Sequence, residues 1–392
     1  MNSPEGLILK NASVVTADHV IENGTVTIDS GVIATVADDV SATHGTVLDL
    51  SGLFLLPGFI DVHIHGAVGI DVMDATAEQL NEIGVFLASQ GVTGWMPTFV
   101  PAADENYASA IAAIAKAAQV SSGAHVLGVH YEGPFVNSAQ CGALHTEYFK
   151  TYSGPADVDS LPLPADAGDL RGGAVCMITL APEVGGGIEL IRELESRGWV
   201  ISIGHTRASL DVLDQALAAG ARHMTHFMNA MAPLHHRAPG PIAWGLSHDD
   251  VTFDMIADGI HLDPFMLRLL LKVKGERGIS LISDAIAAAG RGDGNYQIWG
   301  ETIAVKDGRT SNAAGSIAGS VITMLDAVRL MRSLDASYVQ LARMAASNPA
   351  ELLGLSHECG SIEVGKRADL VALDENAQVK LTLIRGNVAF RA

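Results

Sequence analysis

Cysteine is scarce in this chain of 392 residues. There are 3, Cys141, Cys176 and Cys359, widely spaced and with no CxxC pair. Such a set gives no disulfide framework and suits a reducing cytoplasm. Basic charge is also short: 24 Lys and Arg face 44 Asp and Glu, a formal net charge of −20. That balance argues against a nucleic-acid surface, and it means that an anionic substrate would need a local cationic pocket. No apolar run of about 18 residues is present, so no membrane span is expected. The opening residues MNSPEGLILKNASVV lack the basic segment followed by an apolar stretch that marks a secretory signal.

What is present is a large apolar fraction, 48%, and 41 glycines that imply many short turns. The length exceeds the usual single-domain size, so one large domain and something smaller are expected. Residues 1–52 alternate apolar and polar positions and break at Gly24, Gly31 and Gly45, which predicts a small antiparallel β unit. The tail, 355–392, has the same character, so the two ends predict one composite β-sandwich domain. Between them, 53–354 alternates strands and helices. Eight strands are predicted, at 53–64, 94–99, 126–131, 175–180, 199–203, 223–227, 252–256 and 279–283. Helices are predicted at 78–90, 107–118, 188–197, 210–219 and 264–273. This pattern predicts an α/β fold, a (β/α)8 TIM-type barrel, with a doubly wound sheet as the competing arrangement.

Barrel active sites lie at the C-terminal ends of the strands. The first predicted strand ends in His63-Ile64-His65, and positions i and i+2 of a strand share a face, so both imidazoles can meet one ion. Glu132 ends the third strand, His205 the fifth and Asp284 the eighth; His226 lies on the sixth and His261 follows the seventh. A lone strand-end histidine is more often a satisfied hydrogen-bonding group; the set at one rim argues for chemistry. His130 and His223 are left unassigned as packing groups, and His235-His236 reads as a solvated loop. Glu132, His205 and His226 suit zinc or a similar divalent ion with a position left for water, and Fe, Mn or Co could use the same donors. Such an ion would lower the pKa of the water and polarise a carbonyl. Asp284 would act as general base and then return the proton to the leaving nitrogen; the alternative for Asp284 is a helix N-cap. No lysine occurs between Lys150 and Lys272, so the fourth strand offers none for carbamylation, and a binuclear site would have to be bridged by Glu132.

These residues together resemble the amidohydrolase superfamily, and within it the N-acetylglucosamine-6-phosphate deacetylases. The resemblance rests on Pro57-Gly58-Phe59-Ile60-Asp61, Glu132-Gly133-Pro134-Phe135, Gly204-His205-Thr206, Thr225-His226-Phe227-Met228-Asn229-Ala230-Met231, Ala257-Asp258-Gly259-Ile260-His261, Ser283-Asp284-Ala285 and Gly365-Lys366-Arg367-Ala368-Asp369. It implies a barrel with a β-sandwich from both termini, and hydrolysis of the acetamide of N-acetylglucosamine 6-phosphate to acetate and glucosamine 6-phosphate. The galactosamine epimer or another acetamido sugar is the alternative substrate, and a non-catalytic scaffold is the competing class. By the family pattern Glu132, His205 and His226 bind the main metal, His63 and His65 a second one, and Asp284 is the acid/base. Substrate contacts fall on Ala143, Asn229, Ala230, His261 and Ile317, and on Arg237 contributed across a homodimer interface. The loop 136–142 departs from the pattern, with Cys141 where a lysine is common.

Overall fold

The computed structural model describes residues 6–38, 45–118, 122–164 and 174–392. Parts of the predicted N-terminal unit, including His44, lie outside them. Eight parallel strands run in chain order: Phe59–Ile64, Val92–Phe99, Gly128–Glu132, Val175–Leu180, Val200–Ile203, His223–Met224, Thr252–Ile256 and Ile279–Ile282. The ring closes on itself just past the last strand. The Asp284 amide donates to the His63 carbonyl at 2.9 Å and the His65 amide to the Ala285 carbonyl at 2.8 Å. The doubly wound alternative is thereby excluded. Every residue of Val92–Phe99 and of Gly128–Glu132 is buried, as expected for parallel strands covered on both faces.

The crossover helices form where the apolar spacing placed them. Ala77–Ser89 starts in a capping box in which Thr76 Oγ1 accepts from the Gln79 amide and Gln79 Oε1 from the Thr76 amide. Gly187–Ser196, Leu210–Ala219 and Pro264–Lys274 follow strands four, five and seven. Among the described residues no helix is long and apolar enough to cross a membrane.

Three differences from the sequence expectation bear on the site. The segment 53–64 is two strands, because Phe54–Pro57 joins the terminal sheet and only Phe59–Ile64 enters the barrel. The crossing point is Gly58, where a Cβ would lie 2.2 Å from the Thr93 side chain. The sixth strand stops at Met224 rather than Phe227, since His226 turns into the left-handed region with φ 34°. After the eighth strand no helix begins. The chain runs instead to a three-stranded antiparallel sheet, Gly294–Ile298, Glu301–Lys306 and Arg309–Ser311, that the sequence pattern did not reveal.

Strands from both ends form one eight-stranded sheet with its own apolar core, which includes Leu9, Val26, Ile33, Leu55, Leu370 and Leu383. It is mixed rather than antiparallel: Leu7–Val15 runs parallel to both Thr46–Asp49 and Phe54–Pro57.

Candidate metal centre and substrate pocket

Glu132 is the last residue of the third strand, and four imidazoles gather round its buried carboxylate. Its Oε1 lies 3.0 Å from Nε2 of His205 and 3.0 Å from Nε2 of His226, and those two nitrogens are 3.1 Å apart. Nε2 of His65 is 3.4 Å from Oε2, and Nε2 of His63 is 3.7 Å from Oε1. Two sets of potential ligands result, Glu132–His205–His226 and His63–His65–Glu132, with Glu132 common to both. Asp284 Oδ1 sits beside the second set, 3.4 Å from His63 Nε2 and 3.3 Å from His65 Nε2.

The donors are oriented as metal ligands are. Nδ1 of His205 is 2.8 Å from the Gln140 carbonyl and Nδ1 of His65 is 3.0 Å from the Thr98 carbonyl. A carbonyl only accepts, so each Nδ1 carries the proton and each Nε2 lone pair faces the centre. Nδ1 of His63 and of His226 are buried without a partner. In a metal-free protein, protons would balance the carboxylates. Burial lowers the His226 pKa, but the hydrogen bond and charge of Glu132, with Asp284 and Asp254 behind, raise it to about 9. His65 is likewise raised to about 8, against its burial, by Asp284 and Glu132. Burial holds His63 neutral, well below the usual imidazole range. Burial works to raise the Glu132 pKa, but His63, His205 and His226 together hold it well below the usual carboxylate range. A buried carboxylate that recruits protons in this way is a site that a divalent cation fits.

The backbone at these residues is unusual. His205, His226 and Asp284 have φ of 48°, 34° and 50°, a region that non-glycine residues enter at a cost of about 1–3 kcal/mol each. Two buried carboxylates hold the turns. Asp61 accepts from Ser283 Oγ at 2.5 Å, from the Ser283 amide at 3.2 Å and from the His63 amide at 3.4 Å, tying the first strand end to the last. Asp254 accepts from the His226 amide and pairs with Nε2 of His223 at 3.1 Å. His223 thus supports the site from below rather than facing it. His130, also set aside as packing, bonds Thr179 Oγ1 at 2.8 Å and the Val62 carbonyl at 3.1 Å, and burial lowers its pKa to about 4. Asp254→Ala would leave the His226 amide and Nε2 of His223 unpaired in the interior, Nδ1 of His223 keeping Thr252 Oγ1. The expected result is a stability loss of roughly 1–3 kcal/mol per orphaned group, read from a urea melt. An unchanged urea midpoint would rule out this supporting role.

Above the donors lies a cavity of about 160 Å3 lined by His65, Glu132, His205, His226 and Asp284, and also by Ala143, Asn229, Ala230, His261 and Ile317. Every predicted substrate contact except Arg237 is therefore at the cavity. Asp258 orients His261, its Oδ2 lying 2.6 Å from His261 Nδ1, while the amides of Ile260 and His261 bond Oδ1 at 2.8 Å each. Arg237 stands on an exposed loop outside the cavity, its Nη1 2.7 Å from His236 Nε2. Asp284 heads no helix, so the N-cap alternative fails. The loop carrying Cys141 acts through its backbone, with Gln140 bonding His205 and Gly142 and Ala143 lining the cavity. Sequence reasoning missed Leu144, Ile256 and above all Trp299. Trp299 is at the tip of the inserted hairpin, and its ring meets that of His65 edge-on at 5.2 Å. The only local signal for it is Trp299-Gly300, a turn dipeptide between alternating segments.

Residues 54–389 match the model of the amidohydrolase family. The chain belongs to the amidohydrolase family. It is 39% identical to an N-acetylglucosamine-6-phosphate deacetylase of Bacillus subtilis (strain 168), over 98% of each chain. It is 34% identical to an N-acetylgalactosamine-6-phosphate deacetylase of Escherichia coli O157:H7, over 97% of this chain and 99% of the relative. Among solved structures it resembles an N-acetyl-D-glucosamine-6-phosphate deacetylase mutant from Mycobacterium smegmatis, in complex with N-acetyl-D-glucosamine-6-phosphate. The TM-score is 0.87 at 31% identity, over 98% of this chain and 99% of that one. As an amidohydrolase, the chain is a member of a metal-dependent family, and the shared carboxylate with its four imidazoles is the group that could hold the ion.

Proposed function

We propose that this amidohydrolase hydrolyses N-acetylglucosamine 6-phosphate to glucosamine 6-phosphate and acetate. The observation that carries the reading is Asp284, held 3.3–3.4 Å from two histidines of a metal-ligand set, at the base of a small cavity rimmed by Asn229, Ala230 and His261. A divalent ion on Glu132, His205 and His226 would activate a water and polarise the acetamide carbonyl. Asp284 takes the proton of that water as its oxygen bonds to the acyl carbon. The carboxyl then gives the proton to the nitrogen as the carbon–nitrogen bond breaks, and the acetic acid formed passes its remaining proton to the amine, so acetate and the ammonium form of the sugar leave. Asn229, Ala230 and the backbone at Ala143 and Ile317 orient the sugar, and His261 meets its phosphate. Zinc suits the N/O donors, with Fe, Mn or Co as the alternatives and a second ion on His63, His65 and Glu132. The three cysteines are free, which supports a reducing, cytoplasmic setting. The division into a composite terminal domain and a catalytic barrel belongs to the same proposal, with the first boundary at Gly58 rather than after residue 52, because Phe54–Pro57 pairs within the terminal sheet.

Arg237 serves the neighbouring subunit's pocket in a homodimer. Its exposure, and the fact that it does not line its own cavity, support that assignment. Arg237→Ala is expected to raise KM about 10–100-fold for the phosphosugar, the worth of a charge-assisted hydrogen bond. KM for unphosphorylated N-acetylglucosamine should change little; equal effects on both would remove the phosphate role. Mixing Arg237→Ala with Asp284→Asn subunits should restore activity, and no recovery would count against sharing.

The test of the reaction is acetate release from N-acetylglucosamine 6-phosphate, with the unphosphorylated sugar and the galactosamine epimer alongside. The epimer is a genuine second reading, favoured by the E. coli relative named for it. One hydroxyl contact separates the two.

A further inference from the structure

The inserted hairpin carries at its tip a residue that the turn itself disfavours. Ile298 pairs with Glu301, so Trp299 and Gly300 form a two-residue turn, with φ of 54° and 78°. A turn with positive φ at both central positions favours Asn-Gly, Asp-Gly or Gly-Gly. A bulky aromatic residue there is an outlier, and strain of this kind persists where the surrounding structure holds it for a purpose.

The indole stands at the reaction centre. Trp299 lines the cavity above the metal donors, and its ring meets that of His65 edge-on at 5.2 Å. Nε2 of His65 is in turn 3.3 Å from Asp284 Oδ1. The indole nitrogen is fully buried beside the Asp71 carboxylate, away from the cavity. What the side chain offers the cavity is therefore hydrocarbon. The hairpin is also anchored: Ile298, Ile303 and Val305 pack on Ile286, Ala287 and Ala288, just past Asp284 in the chain. That packing fixes the indole relative to the carboxylate that must serve the acyl carbon.

On the deacetylase reading, on which this inference rests, the substrate has one wholly apolar end, the acyl methyl. A secondary amide is trans, so the methyl and the sugar ring lead away from it in opposite directions. Asn229 and His261, assigned to the sugar and its phosphate, follow strands six and seven, whereas Trp299 stands over the end of strand one. We propose that Trp299 determines acyl specificity: the hydrocarbon of its indole closes the acyl end of the cavity, receives the acetyl methyl and excludes longer acyl chains.

The test is kcat/KM for N-acetyl- and N-butyrylglucosamine 6-phosphate, in the unsubstituted protein and in Trp299→Ala. One methylene in an apolar pocket is worth about 10–200-fold, so the substitution should raise the butyryl-to-acetyl ratio by at least about tenfold. If the alanine variant does not fold, Trp299→Leu, which also shortens the wall, carries the same test. An unchanged ratio would overturn the assignment, because a merely structural role weakens both substrates alike. The affinities of the two compounds for Asp284→Asn and for Asp284→Asn/Trp299→Ala, read by calorimetry, need no turnover and should shift in the same sense. Acyl discrimination in binding, without acetate release from the unsubstituted protein, sinks the reaction and spares Trp299. Acetate release with an unmoved ratio does the opposite.

Discussion

Asp284→Asn is expected to lower turnover by about 10²–10⁴-fold, the usual worth of a positioned acid/base. Asparagine is the informative replacement. It keeps the shape, and it tolerates the left-handed conformation that Asp284 holds at φ 50°, where alanine would add strain. Its amide cannot take the proton of a water or return one to a leaving amine. The backbone bonds that close the barrel here, Asp284 amide to His63 carbonyl and Ser320 amide to Asp284 carbonyl, at 2.9 and 2.7 Å, do not involve the side chain. Fold and metal content should therefore survive, and thermal melting and elemental analysis check that directly. Near-normal turnover would remove the acid/base assignment. Loss of metal together with activity would instead make Asp284 a ligand, which its 3.3 Å approach to His65 makes a real alternative outcome.

Chelation is the second large effect. Removing the ion should abolish acetate release, and a divalent salt should restore it. Glu132→Gln should not be restorable, because Glu132 belongs to both ligand sets and one substitution weakens both. Metal affinity should fall by more than about 100-fold, the upper range for losing a mere supporting partner. A variant that keeps its metal would refute the shared-ligand geometry. The ion should also stabilise the fold, by about 4 kcal/mol at a thousandfold excess over Kd. In the metal-free protein the sign of the pH dependence follows from the raised imidazoles. His65 and His226 stand at about 8 and about 9 when folded against 6.5 unfolded. Their contribution is complete below pH 6.5 and is lost as pH climbs through 8 to 9. Melting of the chelated protein should therefore fall over that window, while metal binding, which needs deprotonated ligands, should strengthen. A melting temperature that rises between pH 6.5 and 9 after chelation would contradict the proton-for-metal account.

Much of this was legible along the chain, because it is local. A barrel strand announces itself by an apolar run and a turn, and the residue that ends it is its neighbour in sequence. That locality is why His63, His65, Glu132, His205, His226 and Asp284 are readable as strand-end residues from the sequence alone. The same locality explains the failures. The segment 53–64 is largely apolar, and nothing in it says that Gly58 carries the chain from one sheet to the other. The run 223–227 is compatible with a strand, yet the Asp254 carboxylate on a neighbouring strand captures the His226 amide and ends the ladder early. The hairpin that brings Trp299 to His65 lies past the last barrel strand, where periodicity has no barrel pattern to extend.

By itself, then, the sequence determined the alternation of strands and helices, the chemistry available at each strand end and the absence of a lysine bridge. These depend on residue type and on spacing of a few positions. Only the tertiary structure decided that Glu132 stands between four imidazoles, that Asp284 lies against histidines more than two hundred positions earlier, and that Arg237 misses its own pocket. Those facts depend on ring closure and strand register, which are set by packing between segments remote in the chain, and no local pattern encodes an ångström-scale distance across a barrel.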